Sequence, residues 1–290
     1  MLEEVVSLLE PTPGQIFVDC TVGRAGHSSA IAARLGESGT LIALDADPRN
    51  LEFAQSVLRD APCKVRLFHA NFAQLEDVLT ETGVPLVHGI LADLGISTNQ
   101  LFEPAYGLSF AREMELDMRL DPRIARTASD ILNHMRESEL ADLLYQLADE
   151  RFSRRIARKI AEARRHAPIT TTEQLADLVR SAIPSRGGAP EKIDPATRTF
   201  MALRMAVNDE LPNLDALLRQ APEHLMPGGR FAVLCFHSGE DRRIKQSFRS
   251  AEQTGRFSIA TKKPLSPSES ELQSNPRARS AKLRVLKKED

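Results

Sequence analysis

The sequence predicts an α/β fold: a Rossmann-like, mostly parallel sheet interrupted by an inserted helical domain. Three observations carry the architecture. Apolar runs of strand length alternate with amphipathic helical patterns between residues 16 and 93, the rhythm of parallel strands joined by right-handed crossovers. The rhythm stops near Glu103, and residues 105–207 hold helical patterns with almost no β-branched alternation. It resumes at the buried-strand run Phe231–Phe236. The predicted organisation is a first sheet segment at 1–104, a helical insertion at 105–207 and a second sheet segment at 208–290.

Each element has its own signal. Strands are expected at Ile16–Cys20, Thr40–Leu44, Val65–His69 and Leu86–Asp93, with helices at His27–Leu35, Pro48–Arg59 and Phe72–Thr80 between them. Pro48 suits a first helical turn behind Asp47 as cap. Within the insertion, Leu140, Leu143, Leu144 and Leu147 mark the apolar stripe of a helix over Glu137–Ala148. Further helices are expected at Ser153–Arg165, Thr172–Ser181 and Pro195–Val207, and Pro184–Pro190 reads as an exposed loop. Beyond it come a helix at Asn213–Arg219, a turn at Met226–Arg230 and the Phe231–Phe236 strand. A helix at Asp241–Arg249 and a last strand at Ala281–Leu286 complete the sheet segment, and residues 262–279, rich in Pro, Ser and Glu, read as an irregular surface loop.

Composition narrows the function classes. With 290 residues, 42% of them apolar, the chain has ample core to fold unaided. No apolar run reaches membrane-spanning length and the N-terminus carries no basic signal region, so a cytoplasmic protein without a membrane partner is expected. Cys20, Cys63 and Cys235 are far apart, form no C-x-x-C pair and read as reduced core thiols, leaving no metal site. A net charge of −2 argues against wholesale polyanion binding, yet Arg151, Arg154, Arg155, Arg158, Lys159, Arg164 and Arg165 crowd one segment. Such a local patch grips phosphates even on a near-neutral protein.

The chemistry concentrates in residues 17–27. An apolar run ends in Asp19, a loop containing Gly23, Ala25 and Gly26 follows, and His27 opens a helix. The next strand ends in Asp45, where an acid holds two ribose hydroxyls in nucleotide-binding folds. The spacing does not meet G-x-G-x-x-G, which counts against a pyrophosphate seated on the helix. With the Asp93-Leu94-Gly95 exit and the Pro227-Gly228-Gly229 turn, this favours S-adenosylmethionine. A nicotinamide-dependent reductase is the alternative that the loop-plus-acid geometry leaves open.

Longer blocks add a resemblance. Asp93-Leu-Gly-Ile-Ser97, Tyr106-Gly-Leu-Ser-Phe110, Leu116-Asp-Met-Arg-Leu-Asp121, Glu150-Arg-Phe-Ser-Arg-Arg-Ile-Ala157, Pro195-Ala-Thr-Arg-Thr-Phe200, Phe236-His-Ser238 and Asn275-Pro-Arg-Ala-Arg279 occur in that order. In these blocks the chain resembles the ribosomal small-subunit methyltransferase H family, which implies a class I S-adenosylmethionine-dependent methyltransferase fold whose inserted helical domain binds substrate. The resemblance implies transfer of a methyl group from S-adenosylmethionine to the exocyclic N4 of one cytidine in 16S rRNA, in the decoding region near the P site of the small ribosomal subunit. It implies cofactor contacts at Gly23, Ala25, Gly26, His27, Asp45, Phe72, Asp93 and Gln100. Asp93 and His237 are then the expected catalytic groups, with a structural hydrogen bond as the alternative for His237 and a helix cap as the alternative for His27. Arg154, Arg155, Arg158, Arg198 and Arg204 are the expected RNA-binding groups. The chain departs from the family pattern at Ala25, where glycine is usual, and at Gly239, where leucine is common.

Overall fold

A computed structural model describes residues 1–184 and 194–290. The loop expected at Pro184–Pro190 lies, beyond Pro184, outside the described residues. The chain forms two compact units, one of Met1–Gly95 with Leu211–Asp290, the other of Ile96–Glu210. The helical unit thus begins earlier than the change in sequence pattern, because Ile96–Phe102 already packs as helix and loop rather than as sheet edge.

The sheet unit holds strands β1 (Ile16–Asp19), β2 (Thr40–Asp45), β3 (Lys64–His69), β4 (Val87–Asp93), β5 (Leu225–Cys235), β6 (Phe257–Ile259) and β7 (Lys282–Lys288) in the order β3-β2-β1-β4-β5-β7-β6. The first five pair in parallel; β7 runs antiparallel between β5 and β6. Both faces are covered, which is why β2 reads as the unbroken apolar run Leu41–Leu44. On one face Ile42, Leu44, Ile90 and Val233 pack with Leu214, Leu217 and Phe248. On the other, Phe17, Leu41, Leu91 and Leu234 pack with Val5, Ile31 and Leu35. Strand order reverses between β1 and β4, and in open α/β sheets ligands bind at the carboxyl edge of that switch point. Gly89 on β4 permits the close approach of β1, since a Cβ there would stand 2.1 Å from the Phe17 ring.

Two expectations need correction, and one strand carries no sequence signal. The stretch Met226–Arg230 is not a turn ahead of a strand but part of β5, where a bulge separates the Val87–Leu225 and Gly89–Arg230 pairs. Pro227 cannot donate to a ladder and Gly228 adopts φ +74°, so the extra residues loop out without ending the strand. The expected surface loop contains a short helix, Glu269–Ser274, capped by Ser268. The edge strand β6 is too short to show a period of two in the sequence.

In the helical unit, Glu137–Ala148, Ser153–Ala163, Thr172–Ala182 and Ala196–Val207 surround a core containing Leu140, Leu144, Ile156, Ile160, Val179 and Leu203. Asn208 ties the unit together from a buried position. Its Oδ1 accepts from Leu120 N at 2.8 Å, and its Nδ2 donates to the carbonyls of Met118 and Arg204 at 2.8 Å each. No helix among the described residues is long and apolar enough to cross a membrane.

Candidate active site

The site of the sheet unit is assembled from the ends of β1, β2, β4 and β5. β1 delivers Asp19, only 1% exposed, whose Oδ2 accepts from Ser28 Oγ at 2.7 Å and whose Oδ1 accepts from Thr21 N at 3.1 Å. Thr21 Oγ1 in turn accepts from Asp93 N at 2.7 Å, so β1 and β4 are locked together beyond their ladder. Burial pushes the Asp19 carboxyl above its ordinary range, against the hydrogen bonds that favour its charge.

The loop after β1 uses left-handed backbone at Gly23 (φ +49°) and Ala25 (φ +61°). Ala25 caps the helix Gly26–Leu35 and is fully buried. Its departure from glycine therefore strains the backbone itself, because a Cβ is disfavoured in this conformation. At Gly26 the space where a Cβ would point is open to 4 Å, so backbone N–H groups of the helix start are approachable.

Asp45, at the end of β2, accepts from Gly23 N at 2.8 Å, Asp47 N at 2.9 Å and Asn50 Nδ2 at 3.3 Å. It pins the glycine loop to β2. Burial lifts its pKa to about 6. Phe72 lies half-buried just past β3, in the turn that Asn71 caps.

Asp93 ends β4. Its Oδ2 lies 3.5 Å from His27 Nδ1, while its Oδ1 is sealed from water without a hydrogen-bond partner. Burial lifts its pKa to about 7, with the charges of Asp19 and Glu240 adding and the Met1 ammonium opposing. Burial lowers His27 to about 4, so its imidazole is neutral at pH 7 and its contact with Asp93 is not an ion pair. His27 Nε2 is likewise buried without a partner.

His237 follows β5 and caps the helix Ser238–Gln253, its Nδ1 accepting from Glu240 N at 3.4 Å. That bond places the ring proton on Nε2, which lies 3.2 Å from Glu240 Oε1 but at an angle that makes no hydrogen bond. Glu240 is 3% exposed, and its Oε2 accepts from Phe236 N at 2.9 Å and His237 N at 3.3 Å. Sequence reasoning gave Glu240 no role. Its spacing of three from the cap residue was the available signal, that of a reciprocal capping box.

The remaining expected residues belong to the helical unit. Gln100 is buried, with Oε1 accepting from Ser97 N at 2.9 Å. Arg154, Arg155 and Arg158 are exposed on one face of Ser153–Ala163 while Ile156, Ala157 and Ile160 are buried. Arg198 is exposed and Nη1 donates to Asp149 O at 3.4 Å. Arg204 stands apart from this group. Its guanidinium meets the Glu210 carboxylate through two bonds, at 2.7 and 2.8 Å, with both side chains only 15% exposed. A bidentate internal pair leaves it a fastener of the helical unit, not a phosphate ligand.

Unpartnered polar atoms on His27, Asp93 and His237 lie at the carboxyl edge of the sheet, beside an open helix start and a buried acid on β2. The fold is a Rossmann-like α/β sheet with its candidate site at the topological switch point. The model of the MraW methylase family matches residues 1–289, and the chain belongs to that family. It is 46% identical, over 99% of its own length and 97% of the relative's, to the ribosomal RNA small subunit methyltransferase H of Acidobacterium capsulatum. It is 45% identical to the protein of the same name from Solibacter usitatus, over 99% and 97% of the two chains. A solved rRNA methylase from Streptococcus thermophilus aligns with 98% of this chain and 92% of its own at 12% identity and a TM-score of 0.42.

Proposed function

We propose that this protein methylates the exocyclic N4 of one cytidine in 16S rRNA, in the decoding region near the P site, acting on the small ribosomal subunit in the cytoplasm. The relatives at 46% and 45% identity, both named small-subunit rRNA methyltransferases, support the rRNA substrate. The observation that carries the chemistry is Asp93: a carboxylate with one unpartnered oxygen, near half-ionised at neutral pH, at the end of a central strand.

The residues present fit the cofactor. The Gly23–His27 loop would take its methionine part, Asp45 its ribose and Phe72 its adenine, and the unpartnered His27 Nε2 supplies a polar contact. Bound there, S-adenosylmethionine supplies an electrophilic methyl group on a sulfonium. The cytosine amine is a weak nucleophile because its lone pair is delocalised into the ring. Holding it in line supplies about 7–11 kcal/mol of the barrier. Asp93, as carboxylate, accepts an N4 hydrogen, stabilises the positive charge that develops on nitrogen and takes the proton the amine loses. His237, with its Nδ1 accepting from Glu240 N, offers Nε2–H as a donor that orients the base, and Glu240 holds it in place. The exposed Arg154, Arg155 and Arg158, with Arg198, bind RNA phosphates.

The test is methyl transfer from labelled S-adenosylmethionine to small subunits purified from cells lacking the enzyme, with mass mapping of the modified nucleotide. Label on a single N4 of cytidine in 16S rRNA is expected. Label on another atom or another RNA, or none, refutes the proposal.

A further inference from the structure

The helix Ser238–Gln253 begins with Glu240-Asp241-Arg242-Arg243, which reads as balanced charge. Folding separates the signs. Glu240 turns inward, buried against the amides of Phe236 and His237. Asp241 Oδ2 receives Lys282 Nζ at 2.8 Å and its Oδ1 receives Arg284 Nε at 2.7 Å, so two cations from β7 more than neutralise it. Arg243 is spent on Asp215 of the preceding helix. Farther along, Glu252 accepts from Ile259 N.

What remains outward is Arg242, Lys245 and Arg249, all exposed, on a helix whose buried line is Ile244 and Phe248. At spacings of three and four they lie along one stripe, about 10 Å from end to end at 1.5 Å per residue. Among the described residues none of these three makes an ion pair or side-chain hydrogen bond. Two other exposed arginines are paired: Arg180 meets Asp177 and Asp194, and Arg256 meets Glu223. The exposed acid at the far end of the stripe, Glu252, makes no ion pair with Arg249 among the described residues and accepts from Ile259 N at 3.3 Å. The stripe starts within about a turn and a half of His237, at the carboxyl edge of the sheet.

We propose that Arg242, Lys245 and Arg249 form a phosphate-binding rail for an RNA strand on the sheet unit itself, separate from the arginine face of the helical unit. Cations at roughly one per helical turn match the repeat of a nucleic-acid backbone and read no sequence. The inference rests on the proposed rRNA substrate and adds where the sheet unit grips it.

The experiment compares the wild type with the triple variant R242Q/K245Q/R249Q for binding of a 16S rRNA transcript across a salt titration. Three lost phosphate contacts at about 0.7–0.9 each flatten the slope of log affinity against log salt by roughly 2–3. The wild-type advantage then shrinks about 20- to 40-fold between 50 and 200 mM salt, by the same relation. Melting temperature and S-adenosylmethionine affinity stay at wild-type values, because the three side chains hold nothing else. Coincident titrations overturn the rail and leave the enzymatic proposal standing. A wild type that binds no transcript at any salt, yet methylates nothing either, overturns both.

Discussion

Replacing Asp93 by Asn separates two things that this carboxylate does at once. In the ligand-free protein its pKa is about 7 against an ordinary 3.8, chiefly from burial. A folded value above the unfolded one means that the native state holds the proton more tightly. The group therefore costs nothing below pH 3.8, costs more as pH rises between the two values, and reaches its full cost above about 7. A gap of about 3 in pKa is about 4 kcal/mol at 1.36 kcal/mol each. The side chain is 31% exposed on the side of Oδ2, and screening there reduces the figure to about 2 kcal/mol. Asn keeps the shape and carries no charge to desolvate. D93N is therefore expected to be about 2 kcal/mol more stable than the wild type at pH 8, about 3 °C in melting temperature for a chain of this size.

That difference closes toward pH 4. His27 titrates in the opposite sense: its folded value is lowered to about 4 from 6.5, so the stability it gives is present above 6.5 and lost as pH falls toward 4. It does so in both proteins and drops out of the comparison. Scanning calorimetry without ligand, stepped from pH 5 to pH 8, measures the difference. Affinity for S-adenosylmethionine moves the other way, falling roughly 30-fold as a charged contact of about 2 kcal/mol is lost. A stability difference that is flat across this pH range would refute the electrostatic account. Unchanged cofactor affinity would remove Asp93 from the cofactor site.

Glu240→Ala strips a buried acceptor from the amides of Phe236 and His237, costing about 2–3 kcal/mol. Chemical denaturation reads that loss, and kcat falls with the loosened His237 while Glu240→Gln, which keeps an acceptor oxygen, retains most of both. Arg204→Ala leaves Glu210 unpaired at 15% exposure and costs about 2 kcal/mol without changing the salt slope of RNA binding. The exposed triple change of Arg154, Arg155 and Arg158 to Ala does the reverse, flattening the slope by about 2 and leaving denaturation untouched.

Much of this molecule was legible in its sequence because the signals were local. β2 announced itself through Leu41–Leu44, and the helix Glu137–Ala148 through the spacing of Leu140 and Leu144, both fully buried. Asp47 caps its helix from the side chain, with Pro48 in the first turn. The misses depend on partners distant in the chain. Arg204 looked like its arginine neighbours until Glu210 met it edge to edge, and Met226–Arg230 looked like a turn because glycine and proline mark a bulge and a turn alike. Asp241 reads as a surface acid, yet its partners come from β7, at Lys282 and Arg284. No window of neighbouring residues contains that information.

The choice between a sulfonium cofactor and a dinucleotide is open in the sequence, and the charge of the sheet edge favours the former. Asp19, Asp45 and Asp93 end β1, β2 and β4, and burial raises the pKa of all three. Desolvated acids at one sheet edge repel one another and weaken the empty protein. A ligand bearing positive charge offsets that repulsion and draws their protons off. A pyrophosphate would instead bring two further negative charges to the same edge, with the neutral His27 unable to answer them at pH 7. Thr21 in place of the first glycine of the dinucleotide fingerprint and the raised acids are independent facts, one of backbone shape and one of charge, and both weigh against the same ligand. The destabilisation that D93N relieves is the cost of keeping such an edge ready for a cation.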